Sequence, residues 1–432
     1  MAEQMKQNKA GEMTAKQAIP VGYKQTEVGV IPDDWVVSTM SSLTSLMTNG
    51  FVGTAKTHYT EAHDGVTYIQ GYNVEENKFN FHGIKKVSAE FHRKNAKSCL
   101  RAGDLLMVQT GDVGLVTVVP PELEGANCHA LIINRFRAEY NSAYFSFLFN
   151  SQQGRLRLKE LETGTTMKHI NVGDLLNFVV AYPPDKVEQT AIANVLSDTD
   201  ELIDALEQLI AKKQAIKTAT MQQLLTGRTR LPQFSLRPDG TPKGYKSSEQ
   251  GQIPEDWCSR QIGQFAPLQR GFDLPSSKRV DGMYPVVYSN GIVNTHNRFQ
   301  VKGPGVVTGR SGTLGKVHFI DGDYWPHNTS LWVTKFNAAD PLFVFYLFGY
   351  IGFERFASGS GVPTLNRNDA HSFILAVPSL KEEQTAIAAI LSDMDSELTA
   401  LEQKLAKARS LKQGMMQQLL TGRIRLPLEV VA

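Results

Sequence analysis

Over 188–225 the apolar residues return at steps of three and four: Ile192, Val195, Leu202, Leu206, Leu209 and Ile216. A second run, 383–420, has the same spacing at Ile387, Leu391, Met394, Leu398, Leu401, Leu405, Ala408 and Leu411. That spacing lays one apolar stripe along a helix, the pattern of a coiled-coil seam. Glu, Ala, Leu, Gln and Lys dominate the remainder, and no Pro or Gly interrupts the first run before Gly227. Gly227 and Gly422 each follow the last apolar residues, where a helix C-cap belongs. A helix of about 38 residues spans roughly 57 Å.

The pattern changes to short β-branched runs outside these stretches. In 36–186 they are VTYIQGYNV (66–74), LLMVQT (105–110), LVTVV (115–119) and ALIINRF (130–136), each bounded by Gly, Pro or Asn. A helix-like segment follows at 143–161. In 258–381 the order recurs as YPVVYSNGIV (284–293), GVVTGRSGTLGKVHFI (305–320) and SLWVTKF (330–336), then a helix-like 341–357.

The two long runs are copies of one another. Residues 188–232 align without a gap on 383–427, with 28 of 45 positions identical. A second pair, GYKQTEVGVIPDDW (22–35) and GYKSSEQGQIPEDW (244–257), stands at an offset of 222 rather than 195, so the first middle is about 27 residues longer. Self-similarity at so long a period marks a duplicated architecture. Trp35 and Trp257 are expected to anchor the edge of each domain core.

Charge gives the helices a direction. Each copy begins acidic (Asp198, Asp200, Glu201, Asp204; Asp393, Asp395, Glu397) and ends basic (Lys212, Lys213, Lys217; Lys404, Lys407, Arg409, Lys412). Antiparallel pairing sets acid against base and suits each helix dipole. The expected fold class is therefore α+β. Two strand-rich domains are separated by two long helices, which form an intramolecular antiparallel coiled coil with pseudo-twofold symmetry. The predicted seam residues are Val195, Leu202, Leu206, Leu209 and Ile216 against Leu391, Met394, Leu398, Leu401 and Leu405. The expected boundaries are a mobile segment 1–21, a first domain 22–186, helix 187–227, a linker 228–243, a second domain 244–381, helix 382–422 and a tail 423–432.

With 432 residues and 41% hydrophobic content the chain can build two to three cores. Its net charge of +2 permits local basic patches without making it a basic tail protein. Three scattered cysteines with no C-x-x-C pair fit a reducing cytoplasm. The polar N-terminus lacks the apolar core of a signal peptide, and no apolar run reaches membrane-spanning length, so no membrane partner is expected.

Catalytic motifs fail on inspection. GRSGTLGK (309–316) lacks P-loop spacing, and Val317 stands where a magnesium-binding Ser or Thr is needed. The ten histidines show no metal spacing. What remains is binding. In the first middle, Lys85, Lys86, Arg93, Lys94, Lys97, Arg155, Arg157 and Lys168 lie among hydroxyl and amide residues, with Gln109 and Thr110 in a Gly-bounded turn. In the second, the set is Arg270, Lys278, Arg279, Arg298, Arg310, Ser311, Lys316 and Arg367. Such residues can serve phosphates and base edges. Arg310 is the strongest single candidate, because its Gly-rich turn can approach a groove closely. Gln109–Gly114 and Arg310–Gly315 match as strand–turn–strand. Asn171 with Asp174 matches Asn366 with Asp369, expected as turn or N-cap residues.

With the paired G-Y-K…I-P-[DE]-D-W openings, the E-Q-T-A-I helices and their Q-Q-L-L-T-G-R ends, the chain resembles the specificity subunits of type I restriction–modification enzymes over nearly its whole length past residue 21. The resemblance implies that the middles are target recognition domains, each reading one half of a split site in double-stranded DNA. It implies helices that space those domains and dock two methyltransferase (modification) subunits, with restriction/translocase subunits completing the complex. It implies no catalytic residue, metal or cofactor in this chain; S-adenosylmethionine, ATP and magnesium would belong to the partners. The unequal middles themselves suggest two unlike half-sites. Two further readings stay open: a DNA-binding scaffold or regulator without an enzyme partner, and an enzyme whose site is assembled only by folding.

Overall fold

The computed structural model describes residues 19–164, 168–358 and 364–427. Nearly all of segment 1–21, and the tail beyond 427, lie outside the described residues. The chain divides into two compact units, Met1–Ala205 with Leu405–Ala432 and Leu206–Lys404. Two helices dominate: α1, Lys186–Leu225, and α2, Lys381–Leu419. Each contributes one half to each unit.

Within each unit the beginning of one helix packs against the end of the other, so the pairing is antiparallel. In the first unit Ile192, Ala193 and Leu196 share a core with Met416, Leu419 and Leu420. In the second, Leu224 and Leu225 share one with Ile387, Ala388 and Leu391. Ion pairs follow the predicted charge split. Lys412 reaches Asp200 at 2.7 Å, Lys213 reaches Glu397 at 2.6 Å, and Lys217 pairs with Asp395.

From 391 to 405 the seam of α2 falls where the apolar spacing put it, but Leu411 of the same stripe is 57% exposed and Lys412 faces the partner helix in its place. Leu391, Leu398 and Leu401 are buried, and Met394 and Leu405 are half-buried. The seam of α1 does not. Leu202 is 52% exposed, Leu209 38% and Ile216 42%, while Leu206 and Val195 are half-buried. The inward stripe runs through Ile192, Leu196, Ile203, Leu206, Ile210, Lys213, Lys217 and Leu224. These positions keep alternating steps of four and three, apart from two skipped positions, at Thr199 and Thr220. The physical reason is that two lysines occupy seam positions and meet acids there. An apolar-only reading therefore slides one residue, to Leu202, Leu209 and Ile216.

Each unit carries the same sheets. In the first, a four-stranded sheet runs Val116–Val118, Leu105–Val108, Leu131–Phe136, Thr44–Asn49. In the second it runs Val317–Ile320, Gly305–Gly309, Ser330–Val333, Leu268–Arg270. A three-stranded sheet accompanies each: Asn127–Cys128, Val66–Ile69, Lys85–Val87 and, correspondingly, Trp325–Pro326, Tyr284–Tyr288, Gly291–His296. Its first pair is parallel in both units. The predicted helix-like segments become Ser142–Asn150 with Gln152–Lys159, and Pro341–Ile351.

The repeated motifs meet at one place in each unit. Tyr23 donates to the Gly422 carbonyl at 3.1 Å, and Tyr245 to that of Gly227 at 3.2 Å. Both glycines sit at φ +68°, the left-handed C-cap that favours glycine. A Cβ there would strike Pro32 and Trp35, or Pro254 and Trp257. Both tryptophans are fully buried, as core anchors should be. Arg425 binds Asp34 through two 3.0 Å contacts and also binds Glu188. Arg230 binds Asp256 at 2.8 Å and Glu383 at 2.6 Å. Stretch 228–243, read as a linker, is thus tied to its unit, with Lys243 also on Asp256 at 2.8 Å. The next motif residue, Gln189, donates to the Pro183 carbonyl and accepts from Asn141, both at 2.9 Å. Gln384 does the same with Pro378 and Asp340.

Candidate nucleic-acid interface

In the first unit the basic residues fall into two groups. Lys85 and Lys86 lie exposed on the strand Lys85–Val87. Arg93 and Lys94 end the helix Ala89–Lys94, and Lys97 sits in the next turn. All five cover the three-stranded sheet, and only Lys94 has an acidic partner among the described residues, Glu90 at 2.7 Å. This group belongs to the longer part of the first middle. Ile69 and Gln109 lie 40 positions apart, whereas their topological counterparts Val287 and Arg310 lie 23 apart. The added length also forms a hairpin, Val74–Glu75 with Lys78–Phe79, that reaches the helices through Lys78–Asp204 at 3.3 Å and Glu76–Lys412 at 3.4 Å.

The second group surrounds the turn after Leu105–Val108. Arg155 packs against Gly114 of that turn. Arg157 is already engaged: it donates to the Val179 carbonyl at 2.6 Å and stacks 4.7 Å over Phe178. Arg355 repeats the stacking over Phe373 at 5.3 Å in the second unit. The sequence reading of Arg157 as a DNA contact thus meets a guanidinium with an intramolecular place. Lys168 pairs with Glu162 at 3.0 Å.

The two matched turns have the same backbone. Ile170 N–H donates to the Gln109 carbonyl at 3.4 Å, and Leu365 N–H to that of Arg310 at 2.8 Å. Thr110 bridges to His169, and Ser311 to Thr364. Asn171 and Asn366 then stand at the N-cap positions of the following short helices; Asn366 accepts from the Asn368 N–H at 3.0 Å, whereas Asn171 makes no side-chain cap bond and donates to Asp174 at 3.1 Å. The turns differ in their heads. The Gln109 side chain donates to the Ile170 carbonyl at 3.1 Å. The half-buried Arg310 side chain makes no hydrogen bond or ion pair among the described residues.

A second shared feature escaped the sequence reading. Asn49-Gly50-Phe51 and Arg270-Gly271-Phe272 end the outer strand of each four-stranded sheet. Phe51 forms a parallel bridge with His129, and Phe272 with His327. A Cβ on Gly50 would lie 2.8 Å from the Cys128 carbonyl oxygen, and one on Gly271 2.2 Å from that of His327, so only glycine fits. The signal was present as a repeated G-F, but two residues are too few to stand out. Around this corner Arg270 donates to the Asn328 carbonyl at 3.4 Å, and Asn328 to Asp273 at 2.6 Å. Arg310 and Ser311 both donate their N–H groups to the Thr329 carbonyl, at 2.9 and 3.2 Å. Arg270, Asn328 and Arg310 therefore share one loop cluster. Lys316 closes the Arg310 turn and Arg367 follows Leu365 beside it, both exposed; Lys278, Arg279 and Arg298 are exposed as well, Arg279 near Asp281 at 3.8 Å.

Burial lowers the pKa of both corner histidines, His129 and His327, which keeps them neutral at physiological pH. They are hydrogen-bonding groups: His129 pairs with the Tyr68 hydroxyl at 3.0 Å, and His327 with that of Thr329 at 3.1 Å. Among the described residues no group of three or more His, Cys, Asp or Glu is placed to hold a metal, and no helix is long and apolar enough to cross a membrane. The arrangement offers donors, acceptors and positive charge on rigid strand ends.

Comparison with known proteins agrees on one family. The family described as type I restriction modification DNA specificity domain matches residues 32–218 and 254–408. A sequence named as the type I restriction enzyme MjaX specificity subunit of Methanocaldococcus jannaschii is 26% identical over 430 residues, covering 94% of this chain and 97% of its own. The MjaVIII specificity subunit of the same organism is 25% identical over 305 residues, 62% of this chain and 67% of its own. Among solved structures, the type I restriction-modification S subunit from M. genitalium has a TM-score of 0.61 at 18% identity, over 94% of this chain and 99% of its own. A chain from a study of type I R-M complex assembly has a TM-score of 0.51 at 15% identity, over 91% and 99%.

Proposed function

Because the chain belongs to the type I restriction modification DNA specificity family, whose members recognise DNA sequence and are not themselves catalytic, we propose that its two units read the two unlike halves of one asymmetric, bipartite site in double-stranded DNA. The observation that carries this is one scaffold built twice with different heads: Gln109 against Arg310, Asn49 against Arg270 and Ala130 against Asn328. Equal scaffolds dock alike on DNA, and unequal side chains select unequal bases. The exposed cations Lys85, Lys86, Arg93, Lys97, Lys278, Arg298, Lys316 and Arg367 supply phosphate contacts in this reading.

The helices space the two readers and dock two methyltransferase subunits. Support comes from residues that α1 and α2 share on surfaces facing away from the seam. Asp198, Gln208, Lys212, Ile216 and Gln222 recur as Asp393, Gln403, Lys407, Leu411 and Gln417, and all are exposed. None is needed for the pairing of the helices, and a surface presented twice suits two copies of one partner. Those partners carry the chemistry: S-adenosylmethionine in the methyltransferase subunits, with ATP and magnesium in restriction/translocase subunits. The chain works in the cytoplasm, where its DNA is.

Base-resolved mapping of N6-methyladenine in a host carrying the intact system tests the proposal. The expected result is one two-part motif with dissimilar halves, methylated once on each strand. A continuous palindrome would overturn it.

A further inference from the structure

We infer that Arg310 selects a guanine in the half-site read by the second unit, and that the first unit has no counterpart to this contact. The inference rests on the DNA-recognition reading above and adds the residue and the base.

Four observations converge on this side chain. The first is its freedom. Arg310 is half-buried, yet its guanidinium has no hydrogen-bond or ionic partner among the described residues. Of the other arginines assigned to this unit's DNA surface, Arg270 is held by the Asn328 carbonyl and Arg279 lies near Asp281, while Arg298 and Arg367, also without such a partner among the described residues, are exposed rather than half-buried. The second is a fixed backbone. The Arg310 N–H is tied to Thr329 and its carbonyl to Leu365, so the chain on both sides of the turn is anchored. A side chain on an anchored turn loses less freedom on binding than one on a loose loop. The third is close approach. Gly312 stands at φ +84° with only the Ser289 hydroxyl, 3.7 Å away, near where a Cβ would lie, so the turn is tight and open at this position; at Gly315, φ +81°, that space is filled by Glu354. The fourth is the company it keeps. Asn328 and Arg270 join the same loop cluster, so a base edge beside Arg310 meets further polar heads.

The chemistry then narrows the base. A guanidinium presents a planar fork of donors and has no acceptor. In the major groove guanine alone offers two adjacent acceptors, O6 and N7, that such a fork can bind together. Adenine pairs one acceptor with a donor, which an arginine leaves unmet. At the matching position of the first unit stands Gln109, and its amide is already committed to Ile170. The loop residue matching Asn328 is Ala130, which offers a methyl group and no hydrogen bond. The shared turn is therefore a reading element in one unit and a structural tie in the other.

The test uses the intact system expressed with its own partner subunits, and reads the methylated motif for wild type, Arg310→Ala and Arg310→Gln. The expected result is that one guanine in one half-site loses its requirement, by about tenfold or more, while the other half-site stays unchanged. In Arg310→Gln, preference at that base shifts toward adenine. An unchanged motif with evenly reduced methylation would make Arg310 a phosphate contact and overturn the inference. So would unaltered methylation, total loss in a complex that still melts normally, or a change in the other half-site. If the alanine variant melts early, the glutamine variant decides. A wild-type motif with two halves but no guanine refutes the base assignment alone. No two-part motif at all refutes the proposed function as well.

Discussion

Arg230 and Arg425 hold equivalent places but not equal environments. The Arg230 side chain is 7% exposed and its partner Glu383 is 2% exposed, whereas Arg425 is 40% exposed. Removing one partner of a buried pair strands the other charge, which costs about 3–5 kcal/mol. Arg230→Ala should therefore destabilise by roughly that amount in urea denaturation. Arg425→Ala should cost less, about 1–3 kcal/mol, because water reaches the stranded Glu188 from the open side. Equal losses would contradict the difference in burial. The acids also set a pH response. The hydrogen bond from Arg425 holds Asp34 below its ordinary carboxylate value. At Asp256 burial pulls upward, but Arg230 and Lys243 outweigh it, and the net shift is also down. A depressed folded pKa contributes stability above the unfolded value, and that contribution is lost as pH falls through the folded one. Hydrogen-exchange protection of the hairpin Tyr23–Pro32 should accordingly hold at neutral pH and fade below about pH 4. In Arg425→Ala this acid-dependent step should vanish. Sequence alone revealed that these arginines, aspartates and glutamates recur. It did not show that one arginine meets two acids from distant stretches, because that pairing depends on the chain folding back on itself.

At the scale of elements, legibility followed the strength of the repeating pattern. Both long helices were readable, and their antiparallel sense followed from charge. The seam of α2 was readable because apolar residues fill it almost without break. In α1 it was not, because Lys213 and Lys217 interrupt the apolar series and meet Glu397 and Asp395 instead. The four-stranded sheets were legible as strands, but the G-F corner was not, since glycine there answers to a neighbouring backbone rather than to a local turn. The tight turn that carries Arg310 was legible from its glycines, whereas the intramolecular place of Arg157 depends on Phe178, distant in sequence. The corrected seam carries its own prediction. Ile216 and Leu411 point away from it, 42% and 57% exposed. Exposed substitutions away from special features usually change stability by no more than about 0.5 kcal/mol. The double variant Ile216→Ser with Leu411→Ser should melt as wild type does, yet retain much less methyltransferase subunit on co-purification. Early melting would return these residues to the seam. Normal melting with full retention would remove them from the docking surface.

For the whole molecule, the consequence of sharing α1 and α2 between both units is that helix length and recognition become separate properties. Residues near Leu206 and Leu405 mark where one unit's share of each helix ends and the other's begins. Seven residues added to both helices at that point keep the alternation of four and three, so both seams stay in register. The addition lengthens each helix by about 10.5 Å, close to the rise of three base pairs at about 3.4 Å each. If the helices set the spacing, the methylated motif should keep both half-sites and lengthen its unspecified gap by about three base pairs. Five residues added instead break the seam period, so that the stretches of seam on either side of the insertion no longer share one inward face, and should lower the melting temperature. A seven-residue variant that folds but keeps the original gap would show that spacing is set elsewhere, by the partner subunits or by the DNA. One that changes a half-site would mean that the helices contribute to base reading, which the placement of Arg310, Arg270 and Asn328 on strand ends and loops argues against.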